Sequence, residues 1–204
     1  MEKRDLVNER KELYAPPKGK FVLVNVPEIP FLRVDGEGSP GSSPGFQEAI
    51  GALYSVAYTL KFTSKKERGL DWKVAPLEGL FSAGEDGALQ MGTQQGWRWT
   101  LLLPQPEFVT REDVARAVEV AAQKKPNPAL VRLHLEAFRE GFSVQTLYVG
   151  AYADEGPTIA ALHAHLGKES YVPNGRHHEI YLSDPTRTAP ERLRTVLRQP
   201  VRKA

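Results

Sequence analysis

The sequence predicts a single α+β domain that consists of two similar halves around a central groove. Apolar residues alternate with polar ones in several short segments, which is typical of half-buried strands. Longer segments instead repeat their apolar residues at helical spacing, and one such segment lies between two pairs of predicted strands in each half. The resulting order, strand-strand-helix-strand-strand, occurs in residues 20–103 and again in residues 131–201. We therefore expect a duplicated β-β-α-β-β fold over residues 1–204, with a linker helix at about 110–124.

Composition narrows the class of protein before any motif is considered. The chain has 204 residues, of which 41% are hydrophobic, and this suits one medium-sized domain. It has no cysteine, so a disulfide scaffold, a thiol nucleophile and a thiolate metal site are excluded. The charged N-terminus does not resemble a signal peptide, and no apolar run approaches the roughly 20 residues that span a bilayer. With a net charge of +2, we expect a cytoplasmic protein without a nucleic-acid or membrane partner.

The first half follows a charged arm at residues 2–18. A Pro-Glu-Ile-Pro break separates its first two strands, and the glycine-rich loop after them lacks the spacing of a phosphate-binding motif. Ser43 as the cap and Pro44 as the first residue predict the start of a helix. A glycine-rich turn is expected at residues 84–92. The strands of this half are predicted at residues 20–26, 30–35, 77–82 and 97–103.

The second half repeats this order after the linker helix. Thr110 and Asp113 form a capping pair that predicts where the linker helix begins. Residues 131–137 could be helical by propensity, but their strict alternation favours a strand. Pro157 and Gly167 predict the start and the end of a short helix. The strands of this half are predicted at residues 131–137, 144–152, 177–183 and 195–201.

Glu179 places a carboxylate in the middle of one of these strands. Turn-forming residues lie on both sides of the segment, Pro-Asn-Gly before it and Ser-Asp-Pro after it. Its side chains alternate between two faces, with His177, Glu179, Tyr181 and Ser183 on one and His178, Ile180 and Leu182 on the other. We expect the helices to pack on the apolar face, together with Leu147 and Val149 of a neighbouring strand. The face of Glu179 either meets water, as in many antiparallel sheets, or lines a cleft.

A second glutamate, Glu78, is linked to Glu179 through the repeat. Superposing the halves places the segment Leu-Glu-Gly around Glu78 on the segment His-Glu-Ile around Glu179. The two glutamates then become pseudo-equivalent, and we expect them to approach one groove from opposite sides. Aromatic residues on nearby strands would form walls suited to a flat ligand. These aromatic residues are Trp97, Trp99, Tyr148 and Tyr152.

Several segments together resemble the GyrI-like small-molecule-binding proteins over nearly the whole chain. The matching segments are residues 24–38, 52–62 and 76–80, Tyr148-Val-Gly-Ala-Tyr152 and His177-His-Glu-Ile-Tyr-Leu-Ser-Asp-Pro185. The resemblance implies duplicated halves of the SHS2 type around a ligand groove, where aromatic residues hold a flat, often cationic molecule and Glu179 supplies charge. The stand-alone branch, which the chain resembles because no DNA-binding helices precede the domain, includes cyclopropanoid cyclopropyl hydrolases. These enzymes detoxify DNA-alkylating natural products.

Two functions of different class remain open on this basis. In the first, water opens a strained cyclopropane, with Glu78 or Glu179 as general base and Tyr152 positioning water or polarising the substrate. In the second, a non-catalytic protein senses or sequesters lipophilic cations, whose charge the glutamates offset and the aromatic rings contact. The ligand-binding residues implied are Tyr54, Trp97, Trp99 and Tyr148. No cofactor or metal is expected, because neighbouring histidines point in different directions, and His178 is expected to be a packed residue.

Overall fold

A computed structural model describes residues 3–41, 43–83 and 97–204 of the chain. The α-helices are α1 (Leu6–Glu9), α2 (Lys11–Tyr14), α3 (Pro44–Arg68), α4 (Arg111–Lys124) and α5 (Gly156–Lys168). The strands are β1 (Val22–Glu37), β2 (Glu78–Ala83), β3 (Trp97–Pro104), β4 (His134–Val149), β5 (Tyr171–Pro173), β6 (His177–Tyr181) and β7 (Arg194–Lys203). Short 3-10 helices lie at Pro128–Arg132, Tyr152–Asp154 and Pro190–Arg192. The glycine-rich turn predicted at residues 84–92 falls outside the described residues.

Two pairs of predicted strands are continuous in the structure. The pair at 20–26 and 30–35 forms β1, and the pair at 131–137 and 144–152 forms most of β4. Val26 and Glu28, on either side of Pro27, both pair with β4, since a strand tolerates proline where its missing N–H is not needed. Gly141, the predicted turn residue, has a φ of 77° and lies opposite Val26, so it bends β4 without ending it.

The predicted helices agree with the structure more closely than the strand ends do. The predicted linker helix is α4, and Thr110 and Asp113 form the expected capping box at its start. The helix predicted from Pro157 is α5, which extends one residue past Gly167. Over the described residues, none of the helices combines the length and the apolar character needed to cross a membrane.

The sheet closes on itself through hydrogen-bonded strand pairs. Neighbouring strands follow the order β4-β1-β3-β2-β6-β7, a further pairing of β4 with β7 completes the ring, and β5 is added to β7. The pairings are antiparallel. The order β1-β3-β2 matches the order β4-β7-β6, and the two sets meet through β1–β4 and β2–β6. This agreement in pairing order is compatible with the predicted duplication, which itself stays a prediction.

The two faces of the sheet are covered by different parts of the chain. On one face, α3 packs with β1 and β3 in a large apolar cluster that includes Leu53, Val34 and Leu101. On the same face of the second half, Leu162 of α5 packs on Leu197 of β7. The long helices therefore lie on the face that carries Glu179, because Glu179 and Leu197 are directly opposite each other in the β6–β7 ladder.

The face of Ile180 is covered by the N-terminal segment, defined here as residues 3–17. Leu13 and Tyr14 of α2 pack with Ile180 and Val196. The prediction that the helices cover the face of Leu147, Val149, Ile180 and Leu182 is therefore wrong, although the alternation along β6 is as expected. Both faces are buried, since Ile180 and Leu197 are each 0% exposed. Alternation separates the two faces of a strand but does not identify which element covers each one.

Candidate functional site

Glu179 is mostly buried on the helix-covered face of β6, and we call the group of side chains that it forms with Glu155, His177, Tyr152 and Tyr181 the recess. The Glu179 side chain is 15% exposed, so it does not lie on a freely solvated face. The Tyr181 hydroxyl donates a hydrogen bond of 2.7 Å to Glu179 Oε2. On the other side, His177 Nε2 is 3.6 Å from Glu179 Oε1. The strand alternation predicted from the sequence thus brings His177, Glu179 and Tyr181 together.

A second carboxylate, Glu155, belongs to the same recess. It precedes α5, which starts at Gly156, and it is 4% exposed. Burial, followed by the negative charge of Glu179, raises the pKa of Glu155 to about 8, while the Thr195 hydroxyl opposes this shift. Glu155 Oε1 has no hydrogen-bond partner among the described residues. At neutral pH, Glu155 therefore holds a proton and can donate it.

The sequence prediction did not include Glu155. An acidic residue directly before Gly-Pro at a helix start is ordinarily explained by its favourable interaction with the helix dipole. The only other signal for Glu155 in the sequence is that it follows Tyr152 by three residues. The 3-10 turn at Tyr152–Asp154 brings these two residues to the same end of the sheet. Tyr181 was placed on the correct face but was not assigned a role in the site.

Tyr152 contributes an exposed aromatic surface next to the two carboxylates. Its ring contacts the Tyr181 ring edge to face, with 5.5 Å between centroids and an angle of 73° between planes. Tyr152 is 38% exposed. Burial, followed by the charges of Glu155 and Glu179, raises the pKa of the Tyr152 hydroxyl to about 12, so this hydroxyl remains a donor at neutral pH.

His177 forms the buried side of the recess. It is 1% exposed, and neither ring nitrogen has a hydrogen-bond partner within the part of the chain that the structure describes. His163 of α5 is near enough for the charge of His177 to act on it, and burial followed by that charge lowers the pKa of His163. Residues 3–41, 43–83 and 97–204 contain no group of three or more side chains that could hold a metal ion.

Glu78 does not share this recess with Glu179. In the β2–β6 ladder, Glu78 lies opposite Ile180, whereas Glu179 lies opposite Gly79, so the two carboxylates are on opposite faces of the sheet. The predicted equivalence of Glu78 and Glu179 is therefore wrong, because equivalent positions of two superposed halves would lie on the same face of the sheet. A shift of one residue in a strand moves every side chain to the other face.

Glu78 belongs instead to a buried cluster of four charges on the face of the N-terminal segment. His178 Nε2 is 2.9 Å from Glu78 Oε2, and His178 Nδ1 is 2.9 Å from Glu140 Oε1. Arg198 Nη1 is 2.9 Å from Glu140 Oε2, and the Tyr14 hydroxyl donates to Glu78 Oε1 over 2.9 Å. We call Glu78, Glu140, His178 and Arg198 the paired cluster. His178 is 1% exposed, as expected for a packed residue.

The paired cluster holds charges that compensate one another. Against the effect of burial, Glu140 raises the pKa of His178 to about 9. Against the same effect, His178 and Arg198 lower the pKa of Glu140 to about 2. Both groups are therefore charged at neutral pH, and the Arg198 guanidinium also donates to Gln145 Oε1 and to the Leu13 carbonyl. This arrangement stabilises the N-terminal segment on the sheet and presents no group to a ligand.

The predicted aromatic walls are only partly correct. Trp99 is 1% exposed and packs edge to face on Phe46 of α3, so it is a core residue and not a wall. Gly36 lies under its ring, where a Cβ atom would be 2.1 Å from the indole carbon Cη2. Trp97 packs against Phe81. Tyr148 lies beside the α5 cluster and donates its hydroxyl hydrogen to the Ala151 carbonyl over 2.9 Å.

Tyr54, the remaining predicted ligand residue, lies on α3 at the edge of the recess. It is half-buried and packs against the α3 cluster. Its hydroxyl is one of the groups that raise the pKa of Tyr152, and the charge of Asp184 acts in the same direction on the pKa values of both Tyr54 and Tyr152. The structure therefore gathers Glu179, Glu155, Tyr181, Tyr152 and Tyr54 at one recess and leaves Glu78 and Trp99 out of it.

Solved structures of other proteins are similar to this chain over nearly its whole length. An uncharacterized conserved protein from Listeria innocua has 40% sequence identity and a TM-score of 0.89, over 98% of this chain and 100% of its own. A hydrolase encoded by lin2189 from Listeria innocua has 39% identity and a TM-score of 0.86 over the same shares. The EcmrR C-terminal domain shares the fold, with 12% identity and a TM-score of 0.60 over 91% of this chain and 98% of its own. No family model and no curated protein matches the chain.

Proposed function

The chain belongs to the family of the hydrolase encoded by lin2189 of Listeria innocua, and we propose that it binds flat hydrophobic or cationic small molecules beside Glu179 and hydrolyses them. The observation that carries this proposal is the pair of carboxyl groups in one recess. Burial holds Glu155 as the neutral acid up to a pKa of about 8, while Glu179 accepts a hydrogen bond from the Tyr181 hydroxyl. A carboxyl group that gives up a proton and a second one that takes a proton can serve as acid and base in one reaction.

The substrate class we propose is a strained, electrophilic cyclopropane conjugated to a carbonyl group, as in cyclopropanoid DNA-alkylating natural products. The oxygen of a water molecule bonds to a cyclopropane carbon while Glu179 takes the proton of that water. The ring bond from that carbon to the ring carbon joined to the conjugated system breaks, and its electron pair moves into the conjugated system. The carbonyl oxygen then takes a proton from Glu155. The product contains the elements of one water molecule and can no longer alkylate DNA, so the reaction would detoxify the compound.

The aromatic residues are proposed to position the substrate for this step. The exposed ring of Tyr152, which contacts Tyr181 edge to face, offers a flat surface next to the carboxyl pair. Its hydroxyl remains protonated and can hold the attacking water or the carbonyl oxygen. Holding the reactants in one geometry contributes to the rate in addition to general base catalysis, which supplies about a hundredfold or more.

A second function is a non-catalytic one, in which the chain senses or sequesters lipophilic cationic xenobiotics. The observation in its favour is the combination of an exposed tyrosine ring with buried carboxyl groups, which would attract a cation by cation–π contact and by charge. In this function, the ligand leaves the protein chemically unchanged.

Mass spectrometry of a cyclopropane-containing alkylator distinguishes the two functions. After incubation with the protein, hydrolysis gives a product heavier by one water, whereas sequestration only depletes the free compound. Glu179→Gln should abolish the water adduct because it removes the base and keeps the size of the side chain. Glu28→Gln, at an exposed position of β1, is the matched control and should leave the rate unchanged. Full turnover by Glu179→Gln would contradict the proposed role of Glu179.

A further inference from the structure

A pocket lined by three arginines lies at one end of β1, beyond the part of that strand that pairs with β4. The β1–β4 ladder ends where Arg33 lies opposite His134. Residues 35–37 continue past this point and pair with β3 on their other side. The pocket beside them has a volume of about 480 Å³, and we call it the arginine pocket. Its arginines are Arg98, Arg132 and Arg176.

The arginines reach the pocket from three different elements. Arg98 lies on β3, Arg132 ends a 3-10 helix, and Arg176 directly precedes β6. Arg132 Nη1 donates a hydrogen bond of 2.6 Å to the Asp35 carbonyl. Arg176 Nη1 donates one of 2.8 Å to the Thr100 hydroxyl, and Thr100 lies opposite Asp35 in the β1–β3 ladder. Two guanidinium groups are therefore held close to the same pair of residues, and each keeps further N–H groups for a ligand.

The charges of these arginines are not compensated in the way that a neighbouring arginine is. Arg33 lies 3.0 Å from Asp35 and 2.7 Å from Glu136, so two carboxylates neutralise it. None of the three arginines of the pocket forms an ion pair with a described residue. Burial, followed by the positive charge of Arg33, lowers the pKa of Arg176. A bound anion would offset this unfavourable environment.

The shape and the composition of the arginine pocket suit a phosphate group on a larger molecule. Guanidinium groups bind phosphate well, because their planar sets of N–H groups match its oxygens. Gly45, in the first turn of α3, also lines the pocket, and the N–H groups of a first helical turn favour an anion. A volume of about 480 Å³ is typical of a pocket that binds a whole small molecule, so the carrier of the phosphate also has room.

A carboxylate in the lining limits which molecule can carry the phosphate. Glu37 lines the pocket opposite Arg98, is exposed, and forms no ion pair within the part of the chain that the structure describes. Asp35, in contrast, is engaged by Arg33 and by the Thr100 hydroxyl. Glu37 repels a second phosphate and accepts hydrogen bonds from hydroxyl groups, so a small hydroxylated carrier fits better than an extended polyanion such as nucleic acid.

We propose that the arginine pocket binds a phosphorylated small molecule whose carrier has hydroxyl groups, such as a sugar phosphate. Arg98, Arg132 and Arg176 hold the phosphate, and Glu37 accepts hydrogen bonds from the hydroxyl groups. The arginine pocket shares no residue with the recess. This second site therefore goes beyond the proposed function and does not depend on it.

Calorimetric titration with ribose 5-phosphate, inorganic phosphate and ribose tests the site at physiological salt. Ribose 5-phosphate should bind most tightly, inorganic phosphate more weakly, and ribose not measurably. Arg98→Met should weaken binding of ribose 5-phosphate about tenfold, because a charge-assisted hydrogen bond is lost. Arg98 is exposed, so this variant should fold normally, and Arg132→Met should give a loss of the same kind.

Arg139→Met is the matched control for these variants. Arg139 is exposed on β4 opposite Glu28, which is remote from Glu37 along β1. Its charge is screened from the pocket at physiological salt, so the affinity for ribose 5-phosphate should stay within about twofold of the wild type. Equal affinities of Arg98→Met and the wild type, or no binding to the wild type, would overturn the proposal.

Glu37→Gln tests the selection of the carrier. The loss of repulsion should tighten binding of inorganic phosphate about two- to fivefold, as expected for one exposed charge. Ribose 5-phosphate should gain less, because its hydroxyl groups lose a charged acceptor, so its preference over inorganic phosphate should fall. Glu119→Gln, at an exposed position of α4, should keep the wild-type preference. An equal gain for both ligands would overturn the role of Glu37.

Two further outcomes would assign the arginine pocket to a different ligand. If inorganic phosphate binds as tightly as ribose 5-phosphate, the pocket is a site for free phosphate and the proposed carrier is overturned. A short single-stranded DNA serves as the macromolecular probe. If it binds more tightly than ribose 5-phosphate and loses affinity in Arg98→Met, the pocket belongs to a nucleic-acid surface, and the proposal of a small molecule is overturned.

Discussion

The two faces of β6 carry two groups of buried ionisable residues that differ in how closely their charges are paired. On one face, every member of the paired cluster lies within 2.9 Å of an oppositely charged member. On the other face, Glu155 and Glu179 are two neighbouring carboxyl groups, and Glu155 Oε1 and both nitrogens of His177 lack hydrogen-bond partners among the described residues. Burial of ionisable residues therefore does not by itself identify a functional site. What distinguishes the recess is that, among the described residues, no cationic side chain lies as close to its carboxyl groups as the 2.9 Å of the paired cluster.

The largest expected effect comes from breaking the paired cluster. Arg198→Met should lower the free energy of unfolding by about 3–5 kcal/mol, because Glu140 then remains buried next to a single cation. Urea denaturation at pH 7 measures this difference. Arg202→Met, at an exposed position of the same strand, is the control and should change stability by no more than about 0.5 kcal/mol. Equal effects of the two substitutions would show that the cluster does not stabilise the fold.

A smaller effect is expected from Glu155, and it depends on pH. The folded protein keeps the Glu155 proton up to about pH 8, whereas the unfolded chain loses it near pH 4.5. The folded state therefore binds more protons in this interval, and stability falls as pH rises. Between pH 4.5 and 6.5 this loss should reach about 2 kcal/mol.

Glu155→Gln should flatten the pH dependence in that interval, as measured by urea denaturation at several pH values. His178 serves as an internal comparison, because its pKa rises from 6.5 to about 9 on folding. Its contribution to stability is complete below pH 6.5 and is lost as pH rises towards 9, so it should persist in the variant. A wild-type profile without slope between pH 4.5 and 6.5 would contradict the burial of a neutral Glu155.

The smallest expected effect concerns the hydrogen bond between Tyr181 and Glu179. Tyr181→Phe removes the donor, so the free energy of unfolding should fall by about 1 kcal/mol. Tyr58→Phe removes a hydroxyl from an exposed ring and should have almost no effect. Thermal and urea denaturation of both variants give the comparison. If the two variants were equally stable, Glu179 would not depend on Tyr181 for its position.

The sequence predicted those features that depend on local pattern. The alternation along β6 correctly placed Glu179 and Tyr181 on one face and Ile180 on the other, because strand geometry has a period of two residues. Capping residues likewise located the start of α4. The class of the fold followed from these elements.

The features that depend on tertiary pairing could not be predicted in the same way. The register between β2 and β6 placed Glu78 on the opposite face from Glu179, and no local pattern specifies a register between strands so distant in sequence. Trp99 became a core residue because α3 covers its face of β3. Glu155 reached the recess through a turn, where no periodicity applies.

The hydrogen bond from Arg198 to the Leu13 carbonyl joins residues 185 positions apart in sequence. β1 likewise pairs along much of its length with β4, more than 90 residues away. During synthesis, the early part of the chain therefore leaves the ribosome before the strands that complete its core have been translated. Its apolar segments stay exposed until those later strands are made. Folding dominated by such distant contacts is slow. The closure of the ring thus delays the burial of apolar segments in the nascent chain, and such exposed segments are what makes a folding chain prone to aggregate.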